Sequence, residues 1–563
     1  MDDKRAQVLL EQFRAEIESL GLAVTGDGYV RWDKQSPAHP RNWTARRKAY
    51  DIGVIIFLEF FTTAISAAGT PASEQARYEY GIGRTFAIFS FTSMYLLGQC
   101  LGAVLFPSYS ETFGRKPLYT LSSILYCIFC VMIAGVPNFA AVIIGRFITG
   151  VLSSVPTVII AGSIEDMFDT EDRIWMVFLW AVIANLGLVL GPITSTYITY
   201  SFGWRWVFHI AAIVMTVVFV LSLGIKESRP SLLLERRVAI LRKSTGNISF
   251  RIRNPDYVPD FKSFIHSSLI RPLHLLFTEP IVLLVTIMSA VTFGVIYFFA
   301  EALPVVYSSF GFTERQASLA FIPIGIGLGG GVFIRLYDRR VLQRRRQQNK
   351  PLEPEDKLVG FAIAAPVLAI SLWFFAWTVP PLVPHVHWLV SMSALVLAGF
   401  AANEFDCTLA GYLSDSYTIY AASAYAGLSL LRTFACAAFP LFAHEMYAGL
   451  GSNVASSILA TVATVFCICP VVFLKYGKRI REASQFARYS LAVYRDNRLE
   501  EDGDEVDEVG KQMEDASRVV SLEKDDGARS LDEAAGVVPL ADTFRTVSME
   551  EGEGVMPTAE KSG

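Results

Sequence analysis

Long apolar runs separated by short polar stretches set the pattern of this chain. About twelve runs qualify as membrane spans, near residues 48–68, 84–105, 117–134, 139–163, 173–196, 205–225, 281–303, 316–337, 358–378, 387–413, 418–442 and 453–474. A span needs about 20 mostly apolar residues to cross a hydrocarbon core roughly 30 Å thick. Backbone groups in lipid must be satisfied within the segment, so the runs are predicted to be helices rather than open strands. The expected fold class is an all-α polytopic membrane protein with 12 transmembrane helices.

Charge gives the runs an orientation. Lys and Arg gather at alternate connections: Arg46, Arg47 and Lys48, then Arg115 and Lys116, the stretch from Lys226 to Arg271, Arg335 to Lys357, and Lys475 to Arg481. The opposite connections near 135–138, 197–203, 304–314, 379–386 and 445–452 hold no Lys or Arg, and the first holds Arg77 and Arg84. Basic loops stay on the cytoplasmic side, so both termini are expected in the cytoplasm. Composition agrees: 563 residues with 52% hydrophobic and only 18% charged side chains are too apolar for a soluble protein of this size.

The predicted organisation is a cytoplasmic N-terminal region (1–47), six spans (48–225), a basic cytoplasmic linker (226–279), six more spans (280–474) and a cytoplasmic tail (475–563). The N-terminal region carries one amphipathic stretch at Val8, Leu9, Phe13, Ile17 and Leu20. The tail is acidic from Glu500 and poor in aromatics, a composition that predicts disorder. Arg518-x-x-Ser521 and Arg545-x-x-Ser548 within it are candidate phosphorylation sites. All seven cysteines fall in spans, so no disulfide framework is expected, and Cys127-x-x-Cys130 reads as packing rather than as a metal or redox pair. No His spacing suits a metal and no Gly-x-x-x-x-Gly-Lys-Ser/Thr loop is present, so neither a metal site nor nucleotide-driven pumping is expected.

Several motifs carry a family resemblance. Gly102-x-x-x-x-x-x-x-Ser110-Glu111-x-x-Gly114-Arg115-Lys116 joins the second and third runs. Arg146-Phe-Ile-Thr-Gly150 lies in the fourth run, and Gly187-x-x-x-Gly191-Pro192 in the fifth. Asp415-Ser-Tyr417-x-x-Tyr420 leads through Leu431-Arg432 to Phe439-Pro-Leu-Phe, and Arg31-Trp32-Asp33, Pro40-x-Asn42-Trp43 and Pro351-x-x-Pro354-Glu355 lie outside the runs. Over about residues 30–482 the chain resembles the major facilitator superfamily, specifically the fungal branch of its drug:proton antiporters with 12 spans. The resemblance implies two six-helix bundles around a substrate cavity. In the fifth run the family usually continues with glycines where Ser195 and Thr196 stand here.

The resemblance implies that Gly102, Glu111, Gly114, Arg115, Lys116, Gly187, Gly191 and Pro192 serve conformational gating, with Asp166 at the inner end of the fourth span as the natural partner of the Arg115 turn. It links Arg146 to proton transfer; the simpler reading is that Arg146 snorkels to the outer surface. Ionisable groups inside spans mark pathways, and burial disfavours the charged form of a carboxyl. On that ground Glu59, Asn185, Asn403, Glu404, Asp406 and Arg432 are candidates for the substrate and proton pathway, with Arg432 pairing one of the acids. Phe293, Tyr297, Phe298 and Tyr412 are candidate cavity walls, and Glu301 is expected to face water at the outer end of the seventh span.

The resulting expectation is proton-coupled efflux of a small organic compound (drug, toxin or secondary metabolite) by alternating access, with the proton as coupling ion and no cofactor. The alternatives are polyamine export and a non-transporting nutrient sensor. A monomer in the plasma membrane is expected, without nucleic-acid or enzymatic activity.

Overall fold

The computed structural model describes residues 16–24, 30–33, 35–245, 269–348, 354–382, 385–417 and 421–488, with Phe13 and Ile252 besides. These all belong to one compact unit, Met1–Ala492. The acidic tail with Ser521 and Ser548, linker residues 246–251 and 253–268, and Val8, Leu9, Pro351 and Tyr420 lie outside the described residues.

Among the described residues, twelve helices are long and apolar enough to cross a membrane. They are α1 (Ala45–Ala67), α2 (Arg84–Phe113), α3 (Lys116–Gly135), α4 (Phe139–Met167), α5 (Asp172–Phe202), α6 (Arg205–Leu223), α7 (Pro280–Ser308), α8 (Glu314–Arg345), α9 (Val359–Thr378), α10 (Trp388–Ser416), α11 (Ser423–Leu450) and α12 (Ser452–Ala483). Several outrun the apolar stretches of the sequence: α2 continues to Phe113 and α12 to Ala483. Helical hydrogen bonding does not stop at the hydrocarbon boundary, so polar residues extend the element beyond it.

Two apolar cores define two bundles. One is built from α1–α6, with Tyr95, Tyr119, Tyr126 and Phe208 fully buried. The other is built from α7–α12, with Phe298, Phe361, Phe405 and Tyr412. The bundles meet where α2 packs on α11 and α5 on α8. A smaller cluster of Ala67, Leu96, Leu188, Ile296, Tyr297, Ala402, Cys436 and Ala437 lies between them. Large apolar side chains such as Leu121, Ile128, Ile213, Val220, Ile370 and Val471 point outward, as expected of a surface that meets lipid rather than water.

Small residues set the closest approaches. A Cβ at Gly187 would stand 2.5 Å from the Phe60 carbonyl, and one at Gly191 would stand 3.1 Å from the Ala64 Cα. The Gly-x-x-x-Gly pattern of α5 is therefore its contact with α1. Gly102 does the same for α2, where a Cβ would stand 2.5 Å from the Val151 carbonyl of α4. It is a packing position well above the turn that ends the motif.

The ends of the spans that bear Arg115, Lys116, Arg339 and Arg479 form a basic face. There the N-terminal region holds a feature that its sequence did not predict, a two-stranded antiparallel hairpin of β1 (Leu22–Val24) and β2 (Val30–Trp32), with Leu22 opposite Trp32. Ile17, Leu22 and Val30 share a small apolar core with Leu234, Val238 and Leu241 of the linker helix Pro230–Thr245. The Trp32 indole donates to the Pro230 carbonyl at 3.1 Å. Strands of three residues carry too little alternation to be read from sequence, and this hairpin depends on the linker helix for its apolar cover.

Candidate functional site

A cavity of about 60 Å³ lies between the bundles, walled by Glu59, Gln99, Thr157, Trp180 and Asn185 from the first and by Phe293, Tyr297, Asp406, Tyr425 and Arg432 from the second. Glu59 is 2% exposed. Its carboxylate accepts from the Thr157 hydroxyl at 3.0 Å, and the Gln99 amide donates to that same hydroxyl oxygen at 3.3 Å. These partners are neutral. A buried carboxylate without a bonded cation keeps most of its desolvation penalty, so it is a group for which binding a proton or a cation is favourable.

Across the cavity the positive charge is already matched. Arg432 Nη1 lies 3.2 Å from Asp406 Oδ1. Its guanidinium stacks over the Phe293 ring at 4.6 Å and stands 6.0 Å from the Tyr425 ring. Of the acids on α10, Asp406 is thus the partner of Arg432. The Asn185 amide donates to Asn403 at 3.4 Å, and Tyr297 and Ser66 share a hydrogen bond of 2.8 Å, so both contacts cross from one bundle to the other.

Glu404 is not where the sequence pointed. One hundred degrees per residue separates it by more than half a turn from Asp406, and it turns into the second bundle. There Arg335 Nη2 lies 2.5 Å from its carboxylate and Arg335 Nη1 lies 2.8 Å from Asp338. Glu404 is fully buried and outside the cavity wall. Arg335 had read as one of a run of loop cations, yet α8 carries it inside the bundle at 7% exposure. Phe298 and Tyr412 also leave the cavity: Phe298 packs on Phe442 and Tyr447, and Tyr412 on Phe473.

Arg146 is completely buried, which excludes snorkelling. Its Nε donates to the Phe91 carbonyl at 2.5 Å, and its two Nη groups donate to the Ile65 and Ser66 carbonyls at 3.2 and 3.3 Å. The Tyr95 ring lies 4.4 Å below the guanidinium. Phe91 sits in a π-helical turn, Phe89–Ser93, inside α2. Such a turn disturbs the regular i→i−4 ladder and exposes a carbonyl to an outside donor.

On the basic face, Arg115 Nε lies 2.7 Å from Asp166 Oδ2, and Arg115 Nη1 donates to the Ile159 carbonyl at 3.0 Å. The turn has a second partner that sequence reasoning missed. Glu227, just beyond α6, accepts from the Arg115 N–H at 3.0 Å and the Lys116 N–H at 3.1 Å, capping the start of α3. Gly114 makes this possible, because its φ is +97° and a Cβ there would lie 2.5 Å from Glu227. Arg229 stands 4.0 Å from Asp166 and the Ser228 hydroxyl 3.5 Å from it. The missed signal was local: Lys226-Glu-Ser-Arg229 at the end of a span is an acid between cations with no apolar reason to be buried. Glu227→Ala is expected to lower the thermal unfolding temperature of purified protein by the equivalent of about 1–3 kcal/mol, because buried N–H groups lose a charged acceptor. An unchanged melting curve would remove Glu227 from the turn.

A family model described as Major Facilitator Superfamily matches residues 52–440. Efflux pump radE of Floropilus chiversii is 30% identical over 464 residues, which cover 81% of this chain and 85% of that protein. Multidrug transporter TPO1_2 of Candida glabrata is 32% identical over 479 residues, covering 84% of this chain and 81% of that protein. Among solved structures, the human organic anion transporter MFSD10 (TETRAN) matches with a TM-score of 0.55 at 16% identity, over 77% of this chain and 100% of the other, a likeness of fold.

Proposed function

Because the chain belongs to the Major Facilitator Superfamily, we propose that it exports a small organic compound by alternating access, driven by protons that exchange at Glu59. It is a multi-pass membrane transporter, and its curated relatives are named efflux pumps and multidrug transporters. We place its basic face, and with it both termini, in the cytoplasm of a cell bounded by the plasma membrane.

The observation that carries the coupling is the pairing inside the cavity. Asp406 already neutralises Arg432, whereas the carboxylate of Glu59 accepts from the neutral Thr157 hydroxyl, itself held by the Gln99 amide. That leaves one acid to be satisfied by a proton or by a cationic cargo, each excluding the other. The rings of Trp180, Phe293, Tyr297 and Tyr425 give the cavity an apolar wall. A single unmatched carboxylate fits a lipophilic compound with at most one positive charge better than a polyamine, which would need several.

In transporter-deficient cells, expression is expected to lower accumulation of some members of a chemically diverse panel. An uncoupler is expected to abolish that difference. Export that persists undiminished with the uncoupler would refute proton coupling, and a panel with no exported member would count against the efflux reading.

A further inference from the structure

The ion pairs Arg115–Asp166, Arg432–Asp406, Arg335–Glu404, Lys357–Asp415 and Arg481–Glu355 each stay within one bundle. Arg84 and Glu301 do not. Arg84 opens α2, at the end remote from the basic face, and its Nη2 lies 3.1 Å from Glu301 Oε2 on α7 of the other bundle. The sequence placed Glu301 in water; the structure buries it to 2% exposure. The same end is joined by the Tyr200 hydroxyl to Glu314 and by Arg315 to the Tyr200 carbonyl at 3.3 Å. A layer deeper, the Ser93 hydroxyl donates to the Ala437 carbonyl at 2.6 Å.

We infer that Arg84 and Glu301 form the gate on the face opposite the basic one, an interbundle ion pair that closes the cavity there and must break for it to open. The assignment rests on the alternating-access reading above, in which one bundle rocks against the other around the cavity.

The two partners lose unequal amounts on opening. Arg84 keeps a second acid within its own bundle, since its Nη1 stands 3.9 Å from Glu74. Glu301 has no second ion pair among the described residues, and its other carboxylate oxygen, Oε1, has no hydrogen-bond partner among them. Opening therefore strands the acid rather than the cation. A stranded buried carboxylate is the costly half of a broken pair, so the pair biases the molecule toward closure on this side. It sits at the opposite end of α2 from the Arg115 turn, so α2 runs between a charged contact to the other bundle at one face and one within its own bundle at the other.

The test uses the full chain with Cys436, which lines the cavity, as its single cysteine, in intact cells. A membrane-impermeant maleimide is applied from the face opposite the basic one. Glu301→Arg and Arg84→Glu, each alone, are expected to raise the Cys436 labelling rate roughly tenfold, equivalent to about 1.4 kcal/mol in the closed–open balance. The exchanged double variant, Arg84→Glu with Glu301→Arg, is expected to return within about twofold of the parent, because the pair is rebuilt in reverse. Glu301→Gln, which keeps the shape and fold, is expected to give an intermediate rise. Labelling unchanged in the single variants, or raised by them and not restored by the exchange, overturns the gate. Labelling needs neither substrate nor gradient, so this result is independent of whether the uncoupler experiment succeeds.

Discussion

Glu59→Gln is expected to abolish uphill export while the protein still folds and reaches the membrane. Gln has the shape of Glu, and its carbonyl oxygen can still accept from the Thr157 hydroxyl, so the packing of α1 is kept. What is lost is the one function an amide cannot supply, reversible proton binding. At least about a tenfold fall in concentrative export is expected, with little change in thermal stability. Downhill exchange of substrate is expected to survive, since it needs the cavity and the rocking motion but no proton. Asp406→Asn makes the contrast. It leaves Arg432 buried against Phe293 without its acid, and breaking a buried pair costs roughly 3–5 kcal/mol. That variant is expected to fail in folding and yield before transport can be assayed. Uphill, uncoupler-sensitive export by Glu59→Gln at wild-type expression would remove Glu59 from the proton path.

The spans and the two-bundle division were legible because hydrocarbon thickness and backbone satisfaction leave an apolar segment of 20 residues few alternatives. Glu59, Asp406 and Arg432 were legible as a set because an ionisable residue inside a span rarely lacks a reason to be there. Direction was not legible. Glu404 and Asp406 stand two residues apart, and only the rotation of α10 decides that one enters the cavity and the other meets Arg335. Arg335 was hidden for a related reason: it lies at the edge of a basic loop, where topology accounts for a cation and no further role is sought. Glu227 and Glu301 were hidden because each sits at the end of a span, where a charge is cheap in sequence terms, and only the fold turns them inward. Periodicity finds what a helix buries; it does not say which neighbour receives it.

Arg146→Lys is expected to cost both stability and transport, and that joint loss separates two roles for the residue. One expectation for Arg146 is a part in proton transfer. The geometry around Arg146 shows a brace: one guanidinium bonds carbonyls at the end of α1 and in the π turn of α2 while standing on α4. No carboxylate is bonded to it among the described residues, and it is outside the cavity wall. Its route to the cavity runs through Tyr95, whose ring it covers and whose hydroxyl donates to the Thr62 carbonyl on the helix of Glu59. A lysine keeps the charge but offers a single nitrogen on a stem, and cannot span three carbonyls on two helices as a planar fork does. The expected result is a lowered unfolding temperature, with loss equivalent to roughly 2–4 kcal/mol for two or more charge-assisted bonds, and a parallel fall in export. A role in proton transfer alone would leave the melting curve of Arg146→Lys at wild type while export failed, and that outcome would replace the brace with the relay.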